Sequence, residues 1–443
     1  MSIACVVACT VGGTASAAPA APRPNPPPAP AAPRQVTSVE GITEYVLGNG
    51  LHVLLFPDTS KDTVTINITY LVGSRMEGYG ETGMAHLLEH MLFKGSPRHP
   101  KIWEELETRG AASNASTWYD RTNYYETLAA KADNLAWALE LEADRMLNAN
   151  IAAADLKSEF SVVRNEFEIG ESSPDLVLSE RMWSTAYLWH NYGKSTIGSR
   201  ADIEKVPAPT LKRFYKKYYR PDNAVLLVTG KIDPAQTLAL IQQHFAGLAN
   251  PPAPIEQTYT SEPVQDGERV VTLRRNGDVQ VVGLVYHTAA AADPDFVATA
   301  AIGELLTAEP SGRLYTALVQ SGLASSVKAV VLPLHDPGTI EIMATLPANK
   351  SIDAVRAKLI ATVEGLGASK ISDEELARIK AKGKKEFKHA FADSAQLGVE
   401  ISELIAAGDW RLWFLQRDQL ARLTTGDLKR VAASYLVPAN RTL

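Results

Sequence analysis

His86 and His90 stand four residues apart with Glu89 between them, inside the run Gly83-Met84-Ala85-His86-Leu87-Leu88-Glu89-His90-Met91-Leu92-Phe93. On a helix, a step of four brings two side chains to one face about a turn apart. Two imidazoles so placed can grip one Zn²⁺. Glu89 projects beside them, where a carboxylate suits a general base acting on a metal-activated water. The order His-x-x-Glu-His is a zinc-hydrolase motif in its own right. A bare His-x-x-x-His pair arises often by chance. Here Glu89 occupies the one useful intermediate position, and no other two of the nine histidines are four apart.

Such a helix needs a start and a buried side. Gly80-Glu81-Thr82-Gly83 offers the start, and Leu87, Leu88, Met91 and Leu92 the apolar side. Around it, residues 42–47 and 51–56 flank Asn49-Gly50 and read as a β-hairpin. Residues 64–72 alternate as a half-buried strand. A helix near 101–109 leads to 111–128, which reads as two extended runs around a turn. Helices at about 130–147 and 153–170 follow. The second carries Glu159 and Glu166, seven apart and nearly superposed on one face. Spacing alone leaves that pair open between a functional role and an ordinary solvated surface. Residues 211–219 read as a helix and 223–230 as a buried strand, and Pro251, Pro252 and Pro254 mark a linker.

The chain repeats itself. Leu211-Lys212-Arg213, Tyr218, Pro221 and Asn223 recur 217 residues later as Leu428-Lys429-Arg430, Tyr435, Pro438 and Asn440. The physical reading is two copies of one α/β unit, each a helix feeding a core strand. The second copy, 262–443, is expected to hold strands at 269–274 and 280–286 and a helix opened by the capping box Ser372-Asp373-Glu374-Glu375. It lacks a second His-x-x-Glu-His, so one half carries the chemistry. The domain reading is 39–250 for the metal-bearing half, 251–261 for the linker and 262–443 for its copy.

At 443 residues the chain exceeds what one core ordinarily serves. A net charge of −6 argues against a nucleic-acid partner, and no apolar run is long enough to span a membrane. Both cysteines, Cys5 and Cys9, precede the folded body, which excludes a cysteine ligand, nucleophile or disulfide there. Residues 1–18 read as an export signal ending at Ala15-Ser16-Ala17, although no Lys or Arg precedes Arg23. Export to the periplasm is the expectation, with the cytoplasm as the alternative. Residues 19–38, rich in Pro and Ala, read as a spacer outside any core.

Taken together, these residues resemble the pitrilysin–insulysin–mitochondrial processing peptidase family of inverted-motif zinc metallopeptidases. The likeness spans roughly 40–443. It is carried by residues 83–95, by Asn114-Ala115-Ser116-Thr117 with Thr122-x-Tyr124-Tyr125, by Val162-Val163-x-x-Glu166, by His190-x-Tyr192-Gly193 with Gly198, and by Tyr219-Arg220-Pro221-x-Asn223. The resemblance implies an α+β fold of two homologous α/β repeats, each a mostly antiparallel sheet with helices on one face. It implies His86, His90 and Glu166 as ligands of one Zn²⁺, Glu89 as general base and Glu159 as the group orienting a ligand. It also implies that Asn114, Ala115, Ser116 and Thr117 form an exposed sheet edge on which a peptide substrate lies as an added strand. His190 and Tyr192 are expected to serve packing.

One departure stands out. Single-chain relatives offer an Arg and a Tyr from a second half as a substrate clamp, and Val319 and Ser325 occupy those places here. Arg313 and Tyr315 lie nearby at the wrong spacing. The expectation is a heterodimer in which a homologous subunit supplies the clamp, with a homodimer lacking it as the alternative. Two rival functions remain. A catalytically idle scaffold subunit tends to lose a ligand or the Glu, yet all four residues are present. A lyase of the S-ribosylhomocysteine-cleaving type is far shorter and needs a cysteine in its site.

Overall fold

Alternation along the strands decides which helices meet which side of each sheet. The computed structural model describes residues 31–443; the signal reading and most of the spacer lie outside them. A first sheet contains β1 (Arg34–Val39), β2 (Ile42–Val46), β3 (His52–Pro57), β4 (Thr63–Tyr70), β5 (Ala112–Thr117), β6 (Thr122–Ala129) and β7 (Ala224–Gly230). Their spatial order is β1-β2-β3-β7-β4-β6-β5, antiparallel except for the β3–β7 pair. A second sheet orders β8 (Val279–His287), β9 (Ser326–Val331), β10 (Thr339–Pro347) and β11 (Arg441–Thr442) as β11-β8-β10-β9, all antiparallel. The fold is the α+β, two-repeat architecture expected.

On one face of the first sheet, Val53, Leu55, Ile66, Ile68, Leu226 and Val228 pack with Leu87, Leu88 and Met91 of the helix Met84–Met91. On the other face, Leu54, Val225 and Leu227 meet Leu397, Ile401 and Leu404 of the helix Ser394–Ala406, which belongs to the second half. The second sheet mirrors this. Its Leu284, Ile340 and Ile342 face their own helices, while Val285 and Met343 face Met182 and Trp183 of Pro174–Ala186, from the first half. Each half therefore covers one face of the other's sheet, and both faces are buried rather than one. The helices Ala153–Ser172 and Pro174–Ala186 recur 220 residues on as Asp373–Ala392 and Ser394–Ala406.

The sequence repeat extends to individual hydrogen bonds. Helices Ala208–Tyr218 and Thr425–Tyr435 match boundary for boundary at the 217-residue offset. Asn223 Nδ2 donates to the Tyr218 carbonyl at 2.9 Å, as Asn440 Nδ2 does to Tyr435 at 2.8 Å. The Ser372–Glu375 capping box is present.

Two expectations need correction. Residues 34–38, read as spacer, form most of β1, paired antiparallel with β2. Residues 269–274, read as a strand, run beside the chain's end through a single bridge, Arg269 to Thr442, and join no ladder. Val271 N–H does donate to the Leu443 carbonyl at 2.8 Å, so the segment is extended but unsheeted.

Candidate metal centre

The helix Met84–Met91 begins at Gly83, whose φ of +88° lies in the left-handed region. No side chain at that position caps the helix; the buried Glu77 does so, accepting the N–H groups of Gly83 at 2.8 Å and Ala85 at 2.9 Å. A carboxyl group there satisfies otherwise orphaned donors, although burial pushes it up to about 8 against those two bonds. With Leu87, Leu88 and Met91 inward, His86, Glu89 and His90 fall on the side facing Ala153–Ser172 and β5.

Glu166 reaches across from Ala153–Ser172. One of its oxygens, Oε2, lies 3.5 Å from His86 Nε2 and 3.6 Å from His90 Nε2, and the two Nε2 atoms are 3.3 Å apart. Among the described residues this is the one trio of potential ligands whose donor atoms converge. Bonds of about 2.05 Å to a tetrahedral Zn²⁺ would place neighbouring ligand atoms about 3.4 Å apart, so the three contacts have the right edge length. Two imidazoles and a carboxylate are also a donor set of catalytic zinc sites. Burial, with His90 beside it, pushes His86 down to about 4, which keeps the ring neutral and its lone pair available.

The surroundings are ordered around this trio. His90 Nδ1 meets Glu159 Oε2 at 3.2 Å, and Lys94 pairs with the other Glu159 oxygen. Glu89 receives a 2.6 Å hydrogen bond on Oε2 from Thr117 Oγ1 at the end of β5. Burial raises the Glu89 carboxyl above its ordinary range against that donor. β5 pairs only with β6 and so forms the sheet's edge. On it, Asn114 is exposed and Ala115 buried, while Ser116 and Thr117 are half-buried. The Ala115 N–H donates to Asn114 Oδ1 at 2.9 Å.

His190 and Tyr192 lie away from the trio, in a polar network joining the halves. Tyr192 Oη donates to both Asp120 oxygens at 3.0 and 2.8 Å, His190 Nε2 meets Asp336 at 3.0 Å, and Arg75 donates to Asp120 and Asp336. Arg313 is engaged within the second half, donating to Glu375, Ser369 and the Lys370 carbonyl. Sequence reasoning missed Glu77 and Lys94, and it assigned Thr117 to substrate alone. Thr117, on the edge strand, also holds the Glu89 carboxylate.

The second half holds no such converging trio among the described residues. At the 220-residue offset Glu166 corresponds to Glu386. There Lys382 Nζ donates to Glu304 at 2.6 Å and lies 3.7 Å from Glu386.

Comparison with known proteins follows the same lines. Residues 52–200 match the family model "Insulinase (Peptidase family M16)", and residues 205–382 match "Peptidase M16 inactive domain". The chain is 31% identical over 404 residues to the zinc protease PqqE of Helicobacter pylori, covering 89% of this chain and 90% of that one. A crystal structure of a protease from Helicobacter pylori superposes with a TM-score of 0.86 at 30% identity, covering 90% of this chain and 97% of that one. The periplasmic protease PqqL from Escherichia coli shares the fold, with a TM-score of 0.73 at 20% identity; 92% of this chain spans 48% of that one.

Proposed function

Because the chain belongs to the insulinase (M16) peptidase family, we propose that it is a zinc-dependent endopeptidase acting on short or unfolded peptides. The observation that carries this reading is the convergence of His86, His90 and Glu166 with Glu89 beside them. A Zn²⁺ held by those three would act as a Lewis acid toward the peptide carbonyl and make water acidic enough to attack near neutral pH. Glu89 takes the proton from the attacking water and returns it to the leaving amine. Thr117 fixes one Glu89 oxygen and leaves the other to the reaction. Burial, by raising the proton affinity of Glu89, suits it to accept that proton. Glu159 holds His90 in the tautomer whose Nε2 lone pair faces the ligand position.

The substrate adds as a strand to β5, held mainly through main-chain bonds, which tolerates many sequences. Asn114 Oδ1, bonded to the Ala115 N–H, occupies a position that a substrate carbonyl can take over. The clamp is proposed to come from a homologous partner subunit, since Val319 and Ser325 cannot supply it and Arg313 is fully engaged. Residues 1–18 are proposed to direct export, which fractionation of cells producing the full chain would test.

Metal analysis and peptide hydrolysis with and without a candidate partner test the central reading. Glu89→Gln should retain about one zinc per chain and lose roughly 10²–10⁴-fold in turnover. Normal turnover by that variant would remove Glu89 from the role of base.

A further inference from the structure

Arg121 is fully buried, in the tight loop joining β5 to β6. Its Nη1 donates to the Ser116 carbonyl at 2.8 Å, to Ser116 Oγ at 2.6 Å and to Asn123 Oδ1 at 2.7 Å. Its Nη2 donates to Glu403 on Ser394–Ala406, the helix that the second half lays on the first sheet. Asn123 is the cross-strand neighbour of Ser116. A charge taken this far from water is costly unless it is paired and hydrogen-bonded, and an apolar side chain would fill the space without that cost. The guanidinium therefore does something a hydrophobic plug would not.

Successive strand residues point to opposite faces. Ser116 is held from the side of the second half, while Thr117, one peptide bond on, reaches Glu89 on the other side. A 2.6 Å O–H···O contact weakens within a few tenths of an ångström. A shift of Ser116 thus moves the group that aims the base.

We infer that Arg121 and Glu403 form a positioning strut by which the second half sets the register of β5 and, through Thr117, the orientation of Glu89. This rests on the reading of Glu89 as the base. Neither residue need touch substrate, and the half that lacks metal ligands acts on the reaction only by positioning the base.

The test uses the full chain with Glu403→Gln, which preserves shape and an acceptor, measured two ways. Amide hydrogen exchange over Ala112–Thr117 should rise about 10-fold, while Met84–Met91 exchange and zinc content stay as in the wild type. Turnover of a short quenched peptide should fall about 10–100-fold, in keeping with a misplacement of about 1 Å. Thr117→Val should show a comparable loss, and the double variant should lose no more than Thr117→Val alone. Unchanged exchange at β5, or losses that multiply in the double variant, would overturn the strut. Absence of zinc-dependent hydrolysis by the wild-type protein both alone and with a candidate partner subunit would sink the peptidase reading instead, and the exchange measurement would still decide the strut. Should Glu403→Gln not fold, Glu403→Asp keeps the charge, withdraws it by one methylene and is read by the same two measurements.

Discussion

Glu159 sits at the second remove from the proposed metal, and its two oxygens serve different partners, His90 Nδ1 and Lys94. His86 Nδ1 has no partner among the described residues, so the two imidazoles are not held equally. Replacing Glu159 by Gln should weaken zinc binding about 10–100-fold, measured by competition with a chelating dye. His86→Ala should abolish stoichiometric zinc, as metal analysis would show. At this scale the sequence is readable where geometry is local. The spacing of His86, Glu89 and His90 is dictated by one helical turn. Glu166 could be paired with them only through a resemblance, because its approach depends on how two helices pack. Arg121 and Glu403 were invisible because 282 residues separate them.

Among elements, the helix Met84–Met91 depends on its entry. Gly83 combines a φ of +88° with a neighbour so close that a Cβ would lie 2.4 Å from the Ile197 carbonyl oxygen. Gly83→Ala should cost more than about 1 kcal/mol from the backbone conformation alone, with the crowding in addition, and denaturant unfolding would measure it. The central strands were legible although both their faces are buried, since β3 and β7 read as apolar runs and β4 alternates Val64, Ile66, Ile68 and Tyr70 with polar residues. β1 escaped because its residues are mostly exposed and follow a Pro-rich run, so no alternation marks it. Residues 269–274 misled for the converse reason. Their extended backbone bonds to the chain's last residues, a partner that local pattern does not reveal.

For the molecule as a whole, the network around Asp336 ties the halves together. Hydrogen bonds from His190 and His335, with Arg75 nearby, hold the Asp336 carboxyl well below its ordinary 3.8. A folded value beneath the unfolded one means that the stabilisation is intact above about pH 4 and is lost as pH falls further. Asp336→Asn should lower the melting temperature near neutrality and flatten its decline below about pH 4, which melts across that range would record. The two-repeat plan could be read from the matched residues, but the mutual covering of sheet faces could not, because helix periodicity does not say whose sheet a helix meets. That covering has a consequence for the connecting chain, where Tyr259 and Val264 stand almost wholly in solvent. A protease nick between them should leave one particle on a native column and two fragments only after denaturation. The covalent bridge between the halves should then be dispensable to their union, because each wears a wall borrowed from the other.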